Sequence, residues 1–450
     1  MSVGRRVLIV SFFYPPNPAV GGLRVSKFAE YLPEFGWEPT VLTARSTPGG
    51  PPQDGHVIAT SYFAPLMKAK ARHASPRSGE GVGPAESAPG LQERLEAAGP
   101  LGRRTYNALR HFAPLSSVRM PDSTMGWIPY AVAEGRRLIR SEQFDAIFSS
   151  AGPPSSHIVA ARIQRRAGIP WTADFRDLWA NNHWDSRVRP FRWLEERLER
   201  LVLKPARALT TVSPAWAERL EKLHGTPAEV IYNGFDPKDY TAEPAPAGTG
   251  AEAFILTYVG SLYWPHQNPE PLFVALADLE KRSKTALDRV RFQLRFVGTA
   301  PRVIESLARR YAVESRVVIL PRVPHPKSLA YQKSSAALLY FGWHKATEGF
   351  IGAKLFEYLG AGRPLLAIGP SGGADSKVLS DCGRQQLTED SGEIIAQLKL
   401  WLDEFMRTGQ LAERVDASAA LPFTRKAQTE RLAAVLDEGA SHLARTRKSR

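Results

Sequence analysis

The sequence predicts an α/β protein built from two doubly wound, Rossmann-like domains. Short apolar runs with the length of buried strands alternate with amphipathic segments of helical period along most of the chain, as parallel sheets require. The alternation stops once, over residues 236–253, which are rich in proline, alanine and glycine, and then starts again. A chain of 450 residues is also longer than one hydrophobic core normally supports.

The first domain opens with a β-loop-α-β pattern. Residues 6–10 have the composition of a buried strand, residues 23–35 carry apolar side chains at helical spacing, and residues 39–43 predict a second strand. The loop between them lacks GxGxxG, so the dinucleotide-binding fingerprint is absent. The start of the chain imitates a signal peptide, but its apolar run is short and ends at Pro15-Pro16, so we expect a strand there.

The segment from residue 45 to about residue 120 interrupts the alternation. Its middle is rich in proline, glycine and serine with few aliphatic residues, which is typical of a loosely held or disordered insertion. Its end, residues 92–112, combines leucines and aromatic residues with four arginines. We expect a docked amphipathic helix there, and a helix lying on a membrane surface is the alternative.

Regular alternation resumes at residue 128 and runs to the end of the chain. Helices are expected at 128–140, 157–167, 191–203, 214–223, 269–282, 302–311, 326–333, 353–359, 392–406 and 424–443, and strands at 145–150, 170–177, 208–213, 228–234, 254–261, 293–298, 317–321, 336–341 and 365–368. We therefore divide the chain into an N-terminal domain (1–235), a linker (236–253), a C-terminal domain (254–422), and a closing helix with a basic tail (423–450). A ligand cleft is expected between the domains.

Composition narrows the classes of partner. The net charge of +14 favours anionic partners, which include nucleotide phosphates, lipid headgroups and nucleic acid. Nucleic acid is the least supported of these, because the sequence has no zinc-finger spacing and no aromatic RNA-binding strand. No apolar run approaches the about 18 residues that span a bilayer. The single cysteine, Cys382, excludes an intrachain disulfide and fits a reducing, cytoplasmic setting.

Residues 347–370, TEGFIGAKLFEYLGAGRPLLAIGP, carry the clearest chemical signal. A helix that begins behind Gly352 offers free N–H groups and a positive dipole end, which suit a phosphate. Lys354 and Glu357 are three residues apart and so share one helix face. The lysine can pair with a diphosphate or stay solvated, and the glutamate can accept hydrogen bonds from a sugar diol. The segment predicts a nucleotide or nucleotide-sugar site.

Four segments together resemble the retaining glycosyltransferases of family 4. They are residues 14–43, residues 210–220 with 230–236, residues 258–263, and residues 348–367. The resemblance implies the GT-B architecture, with two Rossmann-like domains facing across a cleft. It also implies a nucleotide-sugar donor held mainly by the C-terminal domain, an acceptor held mainly by the N-terminal domain, and no metal or other cofactor.

The resemblance also implies roles for donor-side residues. Glu357 matches the glutamate that accepts hydrogen bonds from the ribose, and Glu348 matches the catalytic glutamate that contacts the transferred sugar. Nine positions separate the two, one more than in the family's pattern, so either the loop holds an extra residue or Glu348 is a surface residue. The remaining donor-binding residues implied are Lys354, Leu355, Gly352, Gly260 and Ser261 at the phosphate turn, and Val323 near the base. The basic residues that often follow this turn are missing, which directs attention to Lys354 or Arg24 as the phosphate partner.

On the acceptor side, the resemblance points to a glycine loop, a histidine and a charged strand end. Gly21 and Gly22 match the loop that approaches the transferred group, and His157 stands where the family often has a histidine beside the donor sugar. The alternative is that His157 is a structural residue at the start of a helix. Asp174 and Arg176 end a strand, where ligand contacts gather in α/β sheets, although an internal salt bridge would explain them too.

The implied reaction moves a sugar from UDP or GDP to an acceptor hydroxyl with retention. A glycan or lipid-linked acceptor is expected, in polysaccharide or cell-envelope synthesis, with the enzyme peripheral at the inner face of the plasma membrane. No carboxylate pair resembles that of a glycosidase. The rival readings are a nucleotide-sugar 2-epimerase, a non-catalytic nucleotide-sugar-binding protein, and a nucleic-acid-binding protein supported by charge alone.

Overall fold

A computed structural model describes residues 4–17, 20–45, 56–63, 120–180, 182, 189–240, 253–345, 349–383, 386–412 and 417–448. The chain forms two compact units. The first unit comprises residues 1–212, 216–231 and 429–450, and the second comprises residues 213–215 and 232–428. Both are α/β units with a parallel sheet, as the alternating pattern predicts.

The first unit contains a sheet of seven parallel strands. They are β1 (Arg5–Val10), β2 (Trp37–Ala44), β3 (Val57–Thr60), β4 (Ala146–Ala151), β5 (Trp171–Phe175), β6 (Ala208–Thr211) and β7 (Ala228–Val230). Their order is β3-β2-β1-β4-β5-β6-β7. In register, Val7 lies between Pro39 of β2 and Ala146 of β4. The direction of strand order therefore changes between β1 and β4, which is where doubly wound sheets bind ligands.

Within the described ranges, five helices follow the strands of this sheet. They are α1 (Val20–Tyr31), α2 (Ile128–Ser141), α3 (Ser155–Ala167), α4 (Arg189–Leu203) and α5 (Pro214–His224). A buried cluster joins β1 and β2 to α1, with Ile9, Val25, Phe28 and Trp37 among its members. The expected first strand and first helix are thus confirmed, and the apolar spacing of residues 23–35 is explained by this one packed face.

Strand β3 lies inside the segment that we expected to be an insertion. It pairs parallel with β2, with Val57 opposite Val41. Residues 57–60 are thus a strand that the sequence pattern does not predict, because an edge strand needs only one paired neighbour and four residues suffice for it. Most of the remaining segment, including the helix expected at 92–112, lies outside the described residues.

The second unit contains a sheet of five parallel strands in the order β10-β9-β8-β11-β12. The strands are β8 (Ile255–Val259), β9 (Gln293–Val297), β10 (Val317–Leu320), β11 (Ala337–Phe341) and β12 (Leu365–Ile368). The helices are α6 (Glu270–Arg282), α7 (Lys284–Arg289), α8 (Pro301–Arg310), α9 (His325–Lys333), α10 (Ala353–Ala361), α11 (Ala374–Asp381), α12 (Ser391–Thr408) and α13 (Ala417–Ala420). The change of direction here falls between β8 and β11, so the loops after these two strands are the expected ligand position.

The closing helix α14 (Arg425–Lys448) returns to the first unit, which includes residues 429–450. Leu432 and Leu436 enter the same buried cluster as Ile9 and Phe28. None of the helices in the described part of the chain is both long and apolar enough to cross a membrane.

Candidate functional site in the second unit

Helix α10 begins at the edge of the sheet where the strand order changes direction. Gly352 precedes the helix with extended backbone, and Gly362 ends it in the left-handed conformation (φ 65°). Three hydrophobic side chains, Leu355, Phe356 and Leu359, turn into the interior, while Lys354 and Glu357 stay only partly buried. The sequence prediction of one polar face on this helix is therefore confirmed.

Lys354 is held against the turn that follows β8. Its ammonium group donates a hydrogen bond to the Tyr258 hydroxyl at 2.7 Å and another to the Ser261 carbonyl oxygen. The nitrogen also lies 4.5 Å from the centre of the Tyr258 ring and 5.8 Å from that of Tyr263. Burial lowers the pKa of Lys354 to about 7, and nearby Glu357 only partly opposes this. The site thus holds a cation at a high electrostatic cost, which an anion would relieve.

Gly260 is required by this arrangement. Its φ is +101°, which side-chain-bearing residues rarely adopt. A Cβ atom at this position would lie 2.6 Å from Cε of Lys354. The turn predicted at Gly260 and Ser261 and the lysine predicted on the helix therefore meet, and the glycine lets them do so.

Glu357 is positioned by two side chains of helix α9. One carboxylate oxygen lies 3.0 Å from Nε2 of His325, and the other accepts a hydrogen bond from Gln332 at 3.1 Å. Burial alone would raise the pKa of Glu357, but these partners hold it below its ordinary value. The same contact raises the pKa of His325. The carboxylate is thus ionised at neutral pH, with lone pairs left to accept hydrogen bonds from a diol.

The other donor-side predictions fall around this pair with different outcomes. Val323 is half-buried two residues before His325. Leu355 is fully buried, and its N–H donates to the carbonyl of Gly352, so its side chain faces the core and not a ligand. Glu348 lies outside the described residues, and its role stays a prediction.

An aromatic cluster occupies the region where basic residues were expected and are missing. His266 stacks on Trp343 with ring centres 4.5 Å apart, and Phe350 contacts Trp343 at 4.7 Å. Tyr263 and Trp264 are exposed beside them. The turn after β8 therefore presents aromatic side chains. The cation that contacts this turn is the ammonium group of Lys354.

Sequence reasoning missed the residues that hold the two predicted side chains in place. These are His325, Gln332 and Tyr258. His325 directly follows Val323-Pro324, which we had already associated with the base, so a signal was available. Tyr258 opens the segment 258–263 that carries part of the family resemblance, but nothing in that segment indicates a contact with Lys354, and Gln332 gives no local signal. No group of three or more His, Cys, Asp or Glu residues in the described ranges is arranged to hold a metal ion.

Candidate functional site in the first unit

His157 is fully buried in the first turn of α3, after β4. Its Nδ1 lies 2.8 Å from the Ser149 hydroxyl, which itself accepts a hydrogen bond from the Trp171 indole at 2.8 Å. The serine hydroxyl can donate to Nδ1, and in that tautomer the neutral ring carries its proton on Nε2. That nitrogen has no partner among the described residues. Burial lowers the pKa of His157 to about 3, so the ring acts as a neutral donor.

Arg24 and Asp174 are bonded to each other inside the unit. The guanidinium donates two hydrogen bonds to the carboxylate at 3.1 and 2.9 Å, and a third to the Ile231 carbonyl at 2.8 Å. Ser150 and Thr210 donate to the same carboxylate. Burial alone would raise the pKa of Asp174, but Arg24 and these hydroxyls keep it below its ordinary value. Both groups are buried and find their hydrogen-bonding partners inside the unit, so we place them with the interior and not with the ligand contacts.

Arg176 lies between two glycines at the carboxyl ends of the strands. It donates to Asp177 at 2.5 Å and remains partly exposed. A Cβ atom on Gly21 would lie 3.5 Å from its Cζ, and one on Gly152 would lie 2.9 Å from its Nη2. Gly22 instead packs against the backbone of Tyr14. The structure therefore brings Gly21 and Arg176 together. An internal Asp–Arg salt bridge, the alternative prediction for this strand end, forms between Arg176 and Asp177, while Asp174 pairs with Arg24.

One stretch of the chain is similar to a family of known sequences. Residues 91–239, about a third of the chain, match the sequence model of Glycosyltransferase Family 4. No curated protein matches the sequence.

Solved structures share the architecture of the chain. HepE from Anabaena, in complex with UDP and glucose, gives a TM-score of 0.58 at 14% identity, over 96% of this chain and 100% of that chain. Sucrose-phosphate synthase from Thermosynechococcus elongatus gives 0.54 at 14% identity, over 99% and 98%. A putative UDP-N-acetylglucosamine 2-epimerase from Listeria monocytogenes gives 0.52 at 13% identity, over 98% and 97%. At such low identities the likeness shows the fold. The chain therefore has the two-domain GT-B fold, and its residues 91–239 are similar to Glycosyltransferase Family 4.

Proposed function

We propose that this enzyme transfers a sugar from a nucleoside-diphosphate donor to an acceptor hydroxyl, with retention of the anomeric configuration. One observation carries the donor assignment: Lys354 and Glu357 lie on one face of α10, beside the Gly260 turn, where the strand order of the second sheet changes direction. A strained cation and an ionised carboxylate at this spacing suit a diphosphate and a ribose diol. The UDP and UDP-glucose complexes of HepE favour a UDP-sugar, with a GDP-sugar as the alternative.

The chemistry breaks the bond between the anomeric carbon and the diphosphate, while the acceptor oxygen forms a new bond to that carbon. The leaving diphosphate gains negative charge, and we assign its stabilisation to Lys354 and to the N-terminal N–H groups of α10. Because these groups are part of the protein, we propose a metal-independent reaction. Adding EDTA should leave turnover unchanged.

The acceptor is proposed to bind the first unit near Gly21 and Arg176. A glycan or lipid-linked acceptor, used by a cytoplasmic enzyme at the inner face of the plasma membrane, fits the net charge of +14. Synthesis of a polysaccharide or a cell-envelope glycan is the corresponding pathway class.

His157 is proposed to donate a hydrogen bond from Nε2 to the transferred sugar. His157→Gln keeps a nitrogen donor near that position, whereas His157→Phe removes it. We expect kcat to fall about tenfold further in the phenylalanine variant than in the glutamine variant, the cost of one hydrogen bond. Because the histidine is neutral, the pH profile of kcat should not shift between wild type and His157→Gln. Equal kcat values for both variants would contradict the role.

His325 is proposed to orient Glu357 for the ribose. His325→Ala should weaken UDP binding about fivefold, because the carboxylate then keeps the hydrogen bond from Gln332 but loses the contact with His325 that fixes its orientation. Lys327→Ala, on the same helix and exposed, is the matched control. Titration calorimetry measures both, and unchanged affinity in His325→Ala would refute the assignment.

The 2-epimerase is the second candidate, favoured by the fold likeness to the Listeria protein. The two reactions differ in their products from UDP-N-acetylglucosamine or UDP-glucose. A transferase releases UDP slowly with water as acceptor and leaves the sugar configuration unchanged at C2, whereas an epimerase of that kind changes C2. Proton NMR of the incubated donor separates them, and binding without either product would indicate a non-catalytic binding protein.

A further inference from the structure

Helices α2, α3 and α4 present a surface with an unusual balance of charge. Together they contain ten arginines and four glutamates. Along the chain, α2 leads from β3 to β4, α3 from β4 to β5 and α4 from β5 to β6, and each of these steps runs in the same direction across the sheet. Right-handed crossovers therefore place all three helices on one side of the sheet. Helix α3 packs against both α2 and α4. The outer surface of this helix layer is therefore continuous.

Helix α4 turns two of its three glutamates inward. Glu195 is 1% exposed and accepts a hydrogen bond from the Trp179 indole at 3.0 Å. Glu199 is 4% exposed and accepts one from the backbone N–H of Ala180 at 2.9 Å. Two of the four glutamates thus contribute little negative charge to the surface, and the outward side of the helix is left strongly basic.

The outward side of α4 also carries large apolar side chains. Trp193 is 61% exposed, Leu194 is 46% exposed and Leu201 is 56% exposed. The guanidinium of Arg197 lies 5.7 Å from the Trp193 ring centre, and Arg200 and Lys204 are exposed as well. An aromatic residue and leucines mixed with cations, with two of the three glutamates of α4 buried, is the composition of a helix that lies in a membrane interface.

A groove continues this surface onto α2 and α3. It encloses about 440 Å³ and is lined by Pro129, Val132, Ala133, Arg136, Arg162, Arg165 and Arg166. Among the described residues, no carboxylate pairs with the side chains of Arg136, Arg162 or Arg166. Arg165 donates to the Leu201 carbonyl at 3.2 Å and so joins the groove to α4. Four guanidinium groups around one groove suit the phosphate of a lipid headgroup.

We propose that this surface, formed by Arg136, Arg162, Arg165, Arg166, Trp193, Leu194, Arg197 and Leu201 and called here the basic–apolar face, docks the enzyme on a membrane of anionic phospholipids. Cations alone would serve any polyanion, but exposed tryptophan and leucine side chains gain free energy only where an apolar phase is available. The proposal deepens the proposed function, since it gives a lipid-linked acceptor a surface on which to reach the enzyme.

Vesicle flotation of the full-length protein tests the proposal. We expect binding to phosphatidylcholine vesicles that contain phosphatidylglycerol, little binding to phosphatidylcholine alone, and release as salt is raised. Arg162→Gln/Arg166→Gln/Arg197→Gln should lower the vesicle partition coefficient about a hundredfold, at about fivefold for each surface cation. Trp193→Ala should lower it without changing its salt dependence.

The matched control removes three cations from the second unit, Lys281→Gln/Arg289→Gln/Arg309→Gln, all exposed. It should bind vesicles as wild type does. Equal loss in both triple variants, or unchanged binding in the first, would overturn the assignment, as would a face that binds a DNA oligonucleotide but no vesicle. Thermal shift with UDP on the same variants separates the two proposals: a normal shift without vesicle binding rejects only the docking face.

Discussion

Replacing Lys354 by methionine is expected to weaken UDP binding about a hundredfold at neutral pH. The lysine is the cation that the structure places at the Gly260 turn, and charge-assisted hydrogen bonds to a diphosphate are among the stronger polar contacts. Methionine keeps the length and much of the volume of the side chain, so the Tyr258 and Tyr263 rings retain an apolar neighbour. Titration calorimetry measures the loss of affinity for UDP. The matched control is Lys399→Met, which replaces an exposed lysine of α12.

The affinity should also depend on pH in a defined direction. The pKa of Lys354 is lowered to about 7 in the free protein, and a bound diphosphate raises it, so binding takes up a proton above pH 7. Affinity should therefore fall as pH rises above that value, by up to tenfold per pH unit. Lys354→Arg stays charged throughout and should show no such fall. A wild-type affinity that is constant over this range would contradict the assignment.

Lys354→Met should also make the nucleotide-free protein more stable. A lysine whose pKa is lowered on folding binds its proton less tightly in the folded chain than in the unfolded one, so below that pKa the full cost of the charge opposes folding. Lys354→Met removes this cost. Ser261 stays satisfied, because its carbonyl also accepts from Tyr258 at 2.8 Å. Tm in the absence of nucleotide should rise near pH 6, while the shift produced by UDP disappears.

Glu357→Ala is expected to weaken UDP binding about as strongly, and through a different part of the ligand. The carboxylate accepts hydrogen bonds from the ribose hydroxyls in this account, and loss of two such bonds to a charged group corresponds to about a hundredfold or more. The variant should therefore bind UDP and 2′,3′-dideoxy-UDP equally, whereas wild type prefers UDP.

The control for this prediction is Glu305→Ala, an exposed glutamate on α8. It should bind UDP as wild type does and keep the preference for the ribonucleotide. A Glu357→Ala variant that still discriminates between the two ligands would place the ribose elsewhere. A variant that loses both ligands together with its thermal stability would have lost its fold, and Glu357→Gln, which keeps the volume, then provides the measurement.

The sequence predicts the strands and helices well because most of them report their burial locally. Apolar runs such as residues 255–259 and 365–368 form strands in which every residue is buried. The spacing of Lys354 and Glu357 on one face is fixed by helix geometry alone. Short elements escaped prediction. Helix α11 follows a glycine-rich turn and has only eight residues, so no periodic pattern develops.

Contacts between distant segments were beyond a reading of the sequence. Arg24 and Asp174 are 150 residues apart, and their pairing depends on α1 lying over the end of β5. Two residues that had separate predicted roles as ligand contacts thus satisfy each other. Glu357 and Gln332 meet only because α9 packs against α10. The burial of Lys354 on α10, which lowers its pKa, likewise depends on Tyr258 of strand β8.

The most direct test of the central claim is a thermal-shift titration of the full-length protein with UDP, GDP, ADP and TDP, run in parallel on Glu357→Ala. We expect that one nucleotide, UDP before GDP, raises the Tm of wild type in a concentration-dependent way, and that the variant needs about a hundredfold more nucleotide for the same shift. Absence of a shift with every nucleotide, or an equal shift in wild type and variant, would contradict the assignment of the donor site to Lys354 and Glu357.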